Sequence, residues 1–282
     1  MVKVYVTSAF CKDNEGGNKA GVVLGRMDLA HRKKMEIAKR LGYSETVFVS
    51  DSGKADFKLQ YFTSTEEVPL CGHATIAAFS TLKWLNMLDK PDCTIETKAG
   101  ILNIHIKEDG LVLMEQNRPT YHKVLNSDIF AGCIERDFID HRFPIQIVST
   151  GLNDIMLPVD SVEHLESLSP DFEMIANMSR EEEVVGVHAF TLSKESGVTA
   201  ICRNFAPLYG IDEESATGTA SCALACYLFR YYKRQSQYIF EQGHHMGETS
   251  RIIVNLSYHE NVIDSVFVGG YGYLLEQKSL LV

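Results

Sequence analysis

The stretch LQYFTSTEEVPLCGHATIAAF, Leu59 to Phe79, has a counterpart in ICRNFAPLYGIDEESATGTASCALACY, Ile201 to Tyr227. Each runs from a short apolar strand ending in an aromatic residue, Phe62 or Phe205, through an acidic loop. Each then reaches a glycine, Gly72 or Gly218, that opens a helix of small residues. The offset between the copies is nearly the same at the aromatic and at the glycine. It is far longer than the roughly 20–50 residues of a solenoid unit, so the expectation is two similar domains rather than a repeat array. A helix start carries unpaired N–H groups and the positive end of the helix dipole, which favour anions. Two such starts on related domains lead us to expect a cleft for a small anionic molecule.

Two domains also suit 282 residues, at about 100–200 residues per domain. A hydrophobic share of 45% against 23% charged residues is that of an ordinary globular protein. No stretch approaches the roughly 18 uninterrupted apolar residues of a membrane helix. The opening MVKVYVTSAF already reads as an alternating strand, so a secretory leader is not expected. Seven cysteines lie scattered in apolar segments without framework spacing, which points to a reducing cytoplasm. A formal net charge of −10 argues against nucleic acid or an anionic membrane as partner. It leaves a small carboxylate substrate possible, because helix dipoles at the site outweigh a distant, screened net charge.

The periodicities predict strands at Val2–Thr7, Gly21–Gly25, Glu45–Ser50 and Leu59–Phe62, with two more within Thr94–Ile106. A helix is expected over Leu29–Leu41, its basic residues outward and Gly42 as its stop. The helix from Gly72 to Leu85 is apolar or small almost all round and is therefore expected to be buried. The second half repeats the order. Strands are expected at Phe143–Val148, Asn153–Val159, Val185–Leu192, Thr199–Phe205, Tyr238–Gln242, Arg251–Leu256 and Ser265–Leu275, with helical material in Val162–Met178 and a buried helix from near Thr217. Strands clustered around one helix per domain make the fold class α+β rather than doubly wound α/β. The linker is placed near Asn117–Lys123, giving domains of 1–118 with 269–282 and of 119–268.

Glu45 follows Ser44 at a strand entrance, where a carboxylate has no packing purpose; a solvated or capping carboxylate is the plainer alternative. His73 directly follows Gly72 at a buried helix start, and a hydrogen-bonded core histidine is its plainer reading. Glu213 and Glu214 precede the second helix start, where negative charge suits the dipole in any case. Removing a proton beside a carboxylate or conjugated acid builds negative charge on oxygen, which N–H groups at helix starts stabilise. A carboxylate in a dry pocket can exchange protons near neutral pH. Glu45 as acid/base, supported by His73 and Glu214, would thus catalyse a proton shift without metal or cofactor.

Cys71 stands where a two-base racemase would place a thiol, but its counterpart is Thr217, whose hydroxyl is far too weak an acid to be a second base. Cys71 as a small buried residue is the alternative. Cys222 and Cys226, with His244 and His245, have the types of a zinc set, yet ASCALACY reads as core. Gly269–Gly272, GGYG, lacks the spacing of a phosphate or dinucleotide loop. The run Glu181–Glu183 reads as a solvated turn.

The segments SETVFV around Glu45, FTSTEEVPLCGHATIAA from Phe62, RNFAPLYGIDEESATGTA from Arg203, EQG at Glu241–Gly243 and NKAGVVL from Asn18 together resemble the signatures of the PhzF phenazine biosynthesis family. The resemblance covers essentially the whole chain. It implies a fold like diaminopimelate epimerase: two pseudo-symmetric domains, each a curved mixed sheet wrapped around a central helix, with the active site between them. It also implies cofactor independence, a homodimer, and isomerisation of a cyclic diene acid by a glutamate. On this carry-over Glu45 is the acid/base, Ser44, Cys71, Gly72 and His73 line the first helix start, and Glu214, Gly218 and Thr219 line the second. The family's usual acidic-proline sequence before the second helix, with aspartate as the functional acid, is here Glu213, Glu214, Ser215, so the acid is one methylene longer; proline is also absent at Lys19 and Ser64, so the substrate is left open. Two other functions stay in view: an amino-acid racemase, epimerase or hydroxyproline-type dehydratase using Cys71, and a non-catalytic binder of small acids.

Overall fold

The computed structural model describes residues 1–25 and 29–281. The fold is mixed α and β and rich in strands, and the chain divides into two compact units, Met1–Glu115 with Gly269–Val282, and Gln116–Val268.

The first unit contains β1 (Val2–Cys11), β2 (Asn18–Leu24), α1 (His31–Leu41), β3 (Thr46–Ser50), β4 (Phe57–Phe62), β5 (Glu67–Val68), α2 (Gly72–Trp84), β6 (Asp92–Thr97), β7 (Gly100–Ile106) and β8 (Val112–Gln116). Pairing alternates in sense: β1 with β2 is antiparallel, β2 with β3 parallel, β3 with β4 antiparallel, β4 with β6 parallel, and β6 with β7 antiparallel. Against one face lies α2, buried from His73 to Phe79 and again at Thr81 and Leu82. That is what its apolar circumference requires. The opposite face carries α1, whose Ile37 and Ala38 join Val2, Val4, Val23, Phe48 and Phe62 in one apolar cluster. Gly42 ends α1 in the left-handed region (φ 74°), and its N–H donates to the Ala38 carbonyl.

The outward basic face expected for α1 holds except at Lys34, which is buried. Its Nζ donates to Gln60 Oε1 at 2.7 Å and sits 5.3 Å and 5.6 Å from the ring centroids of Phe48 and Phe62. A lysine stem long enough to cross apolar surface, with a hydrogen bond and two ring faces for its charge, overrides the amphipathic pattern.

The second unit contains β9 (Thr120–Val124), β10 (Gln146–Ser149), β11 (Asn153–Pro158), α3 (Val162–Ser167), α4 (Phe172–Glu181), β12 (Gly186–Leu192), β13 (Ala200–Ala206), β14 (Ile211–Glu214), α5 (Gly218–Tyr231), β15 (Gln237–Gln242) and β16 (Ser250–His259). The last strand, β17 (Val262–Leu280), begins in this unit and ends in the first, where it pairs antiparallel with β1. Here β10 with β11 is antiparallel, β11 with β12 parallel, β12 with β13 antiparallel, β13 with β15 parallel, and β15 with β16 antiparallel. Helix α5 is buried from Ala220 to Phe229. Helices α3 and α4 cover an apolar cluster that includes Ile155, Leu157, Val187, Ala189, Ile201 and Phe205.

Three local readings change. The stretch expected as a linker contains β9, which pairs with β10, and Tyr121 Oη donates to the Cys226 carbonyl at 2.9 Å. The acidic loop before the second helix contains β14, because Glu214 and Ile211 pair with Asn204 and Ala206 of β13. In the run Glu181–Glu183 the outer two residues are exposed, whereas Glu182 is half-buried and ion-paired with Lys123. GGYG lies within β17, and a Cβ at Gly269 would fall 2.1 Å from the Val112 carbonyl oxygen, so close backbone approach explains that glycine.

Arg203 holds the second unit's helical face to its strands. Its Nε and Nη2 donate to Glu213 Oε1 and Oε2 at 2.9 and 2.8 Å, while Nη1 donates to the carbonyls of Leu165 and Leu168 at 3.1 and 2.8 Å. Both side chains are largely buried. Arg203→Met should therefore lower unfolding free energy by about 3 kcal/mol by stranding Glu213. In urea denaturation, the double variant Arg203→Met/Glu213→Leu should recover part of that loss; equal midpoints for wild type and Arg203→Met would contradict this role.

Candidate active site

In the first unit β3 begins one residue after Glu45, and α2 begins one residue after Cys71, so a strand entrance and a helix start bring three chemically able side chains together. One ligand-type atom each from Glu45, Cys71 and His73 lies within 4.8 Å of the other two. His73 Nε2 is 3.3 Å from Glu45 Oε2 and 3.4 Å from Ser44 Oγ; His73 Nδ1 is 3.4 Å from Cys71 Sγ.

Glu45 Oε2 is buried, yet it accepts no hydrogen bond; proximity to the imidazole is not matched by alignment. A buried carboxylate oxygen without a donor is costly. Burial lowers the pKa of His73, and the negative charge of Glu45 only partly opposes this. The imidazole is thus held toward its neutral form near pH 7.

No side chain caps the start of α2. Cys71 is extended at the cap position, and its thiol turns to His73 rather than to the N–H groups of the first turn. The first-turn donors therefore keep the positive end of the dipole available. A Cβ at Gly72 would meet nothing nearer than Met114 Cε at 3.6 Å, an ordinary contact. Packing does not demand glycine there; room for a molecule close to the backbone would.

In the second unit, the start of α5 is built differently. Thr217 is extended at the cap position, with no side-chain cap on the helix. Its Oγ1 donates to Glu214 Oε2 at 2.6 Å. Gln242, fully buried, donates through Nε2 to the Glu214 carbonyl at 2.6 Å and to Thr217 Oγ1 at 3.1 Å, and its Oε1 accepts from the Thr217 N–H at 3.3 Å. The carbonyl of Thr219 accepts from Thr150 Oγ1 at 3.3 Å. Glu214, Gly218 and Thr219 thus share one locality. Glu213, which sequence grouped with Glu214 as helix-start charge, is committed to Arg203 instead.

Two residues here escaped sequence reasoning. Gln242 was visible only as part of EQG; its neighbour Glu241 is a buried anchor for Arg251 and His244. Asp154 left no signal, since an acid in an alternating strand ordinarily faces solvent. It stands on β11 between Val148 of β10 and Gly186 of β12, is buried, and its Oδ1 has no hydrogen-bond partner. Burial, and secondarily the charge of Glu214, push its pKa up to about 8. Asp154 is therefore protonated at neutral pH. Cys222 and Cys226 are buried in α5, and burial raises both thiols, Cys226 to about 12, as expected of core residues.

The raised pKa of Asp154 has a definite thermodynamic sign. Below about pH 4 the carboxyl is protonated folded and unfolded alike. As pH rises toward 8 the unfolded chain releases this proton first, so the group progressively destabilises the fold. Asp154→Asn should thus gain stability relative to wild type as pH rises from about 4 to 8. Thermal unfolding across that range checks it; a gap independent of pH would refute the assignment.

The sequence model of the family described as phenazine biosynthesis-like protein, PhzC-PhzF, matches residues 7–277. An "uncharacterized isomerase", YfhB of Bacillus subtilis strain 168, is 34% identical over 268 residues, with 90% of each chain covered. The crystal structure of a PhzF-family phenazine biosynthesis protein from Bacillus anthracis superposes with a TM-score of 0.92 at 28% identity, covering 100% of this chain and 99% of that one. A hydroxyproline epimerase from Agrobacterium vitis is similar in fold, with a TM-score of 0.59 at 11% identity, covering 98% and 90%.

Proposed function

The chain belongs to the phenazine biosynthesis-like PhzC-PhzF family and its enzyme class is isomerase; from that premise we propose that it moves a proton on a small carboxylated substrate, cyclic or an aromatic precursor, with Glu45 as the acid/base. The observation that carries this reading is the buried, donorless Oε2 of Glu45 beside a neutral-leaning His73 at an uncapped helix start. Glu45 takes a proton from a carbon of the substrate's conjugated system, and the electron pair moves into the conjugated acid. The resulting negative charge is stabilised by the N–H groups opening α2. Glu45 then returns the proton to a different carbon, so atoms and electrons balance without oxidant or reductant. Ser44 stands 3.4 Å from the His73 ring, which lies beside the carboxyl group, and Gly72 leaves room for the substrate at the helix start. The proposal needs neither metal nor cofactor.

We extend the proposal to the second unit taken by itself, where Glu214 with Gly218 and Thr219 offers an acid at a second uncapped helix start suited to a small anion. The matching order of pairing senses, with one buried helix in each unit, supports reading the units as two copies of one epimerase-like design.

A second reading makes Cys71 the base, as in racemases and epimerases, and the contact of its thiol with His73 favours it. Against the two-thiol version stands Thr217, whose hydroxyl is engaged by Glu214. Small carboxylic acids screened in heavy water should reveal solvent deuterium entering a carbon position. Glu45→Gln should reduce this exchange by at least about 100-fold, and Cys71→Ala should retain most of it. Exchange that survived in Glu45→Gln but vanished in Cys71→Ala would transfer the role to the thiol. A ligand that binds without any exchange would leave a non-catalytic binder.

A further inference from the structure

We infer that Glu45, Cys71 and His73 form a binding site for a thiophilic divalent cation, zinc above all, and that its occupation silences the site. The inference starts from donor chemistry. A carboxylate oxygen, a thiol sulfur and an imidazole nitrogen are zinc's three usual protein ligands, whereas magnesium and calcium want oxygen alone. Glu45, Cys71 and His73 supply one of each, with the three donor atoms within 4.8 Å of one another.

The spacing of the imidazole to its two neighbours is close to that around a tetrahedral ion. Bond lengths of roughly 2.0–2.1 Å to nitrogen or oxygen and 2.3 Å to sulfur place tetrahedral donors about 3.3 Å apart for N and O and about 3.5 Å apart for N and S. His73 Nε2 is 3.3 Å from Glu45 Oε2 and 3.9 Å from Cys71 Sγ. The N–O pair is already at the required distance, and the N–S pair needs a shift of a few tenths of an ångström.

A second observation points the same way. Glu45 Oε2 is buried without a hydrogen-bond donor although an imidazole nitrogen stands at bonding distance. A cation among the three donors would satisfy that oxygen directly. Backbone also favours the geometry: Cys71 and His73 flank the glycine that opens α2, so both are set by one helix start, and Glu45 is fixed by the entrance to β3. Three protein ligands leave a fourth position open, the arrangement in which zinc keeps a water or an exogenous carboxylate.

Zinc held here would occupy the Glu45 oxygen that the proton-shuttle reading requires free, so we assign the ion an inhibitory role; this half of the inference rests on that reading. As the bonds from zinc to the Cys71 sulfur, the His73 nitrogen and the Glu45 oxygen form, the ion sheds water ligands and the thiol proton leaves to solvent; no oxidation state changes.

The full-length protein, stripped with chelator, is titrated with Co²⁺ followed by absorption and with Zn²⁺ by calorimetry. The expected result is one ion per chain and a thiolate-to-cobalt charge-transfer band. That band should be absent in Cys71→Ser, and zinc affinity should fall at least about tenfold in Cys71→Ser and in Glu45→Gln. Excess Mg²⁺ should not compete. Circular dichroism on each variant separates lost ligands from lost fold. An absent band, or equal affinity in wild type and both variants, would overturn the site. In a second arm, zinc should abolish deuterium exchange into a responsive carboxylic acid, with chelator restoring it. Binding without that loss would overturn the inhibitory role alone, while failure of exchange in metal-free wild type would count against the proton-shuttle reading and not against the metal site.

Discussion

A helix that is apolar around its whole circumference must be covered around its whole circumference, and much of this structure is a response to that constraint. The residues of α2 and α5 are too small and too apolar to face water on any side, so strands pack against them and each helix is buried along almost its entire length. Burying a helix also buries its end. The first-turn N–H groups then need partners, and neither cap residue supplies one, because Cys71 turns to His73 and Thr217 turns to Glu214. What makes the two helices suitable as cores is thus what leaves their starts suited to receiving an anion.

Around these starts the two units spend polar groups differently. In the first, Ser44, Glu45, Cys71 and His73 meet with loose geometry: contacts of 3.3–3.4 Å and one carboxylate oxygen without a donor. In the second, Gln242 fastens Glu214 and Thr217 with bonds of 2.6–3.3 Å, and Asp154 remains neutral within the fold. A loosely held carboxylate beside an imidazole whose pKa burial lowers suits proton exchange. It equally suits capture of a metal ion, since both uses want a donor that the protein has not already satisfied.

The parts of this arrangement that local pattern controls were legible. Small-residue helices opened by Gly72 and Gly218, alternating strands on either side and the αL stop at Gly42 all follow from spacing within a few residues. The signature segments around Glu45, Phe62 and Arg203 carried the family, and the match over residues 7–277 supports the same assignment. Illegible were the residues whose role depends on a distant partner. Lys34 looked outward-facing because nothing nearby in sequence announces Gln60 or the rings of Phe48 and Phe62. Glu213 looked like helix-start charge because Arg203 lies across a strand pairing. Asp154 drew no reading because alternation reports only which face a side chain takes, and both faces of β11 prove to be covered.

The sequence by itself determined which helices must be buried, most of the strands though not short ones such as β9 and β14, and that Glu45 and His73 stand at a strand entrance and a helix start. These are consequences of periodicity and residue type, which act over a turn or two of chain. Only the tertiary structure decided which of the acids is free: Glu213 neutralised by Arg203, Glu67 paired with Lys98, Asp154 kept protonated, and Glu45 left with an unsatisfied oxygen. The physical reason is that a carboxylate's chemistry is set by desolvation and by the charges within a few ångströms. Those neighbours come from strands and loops far away in the chain.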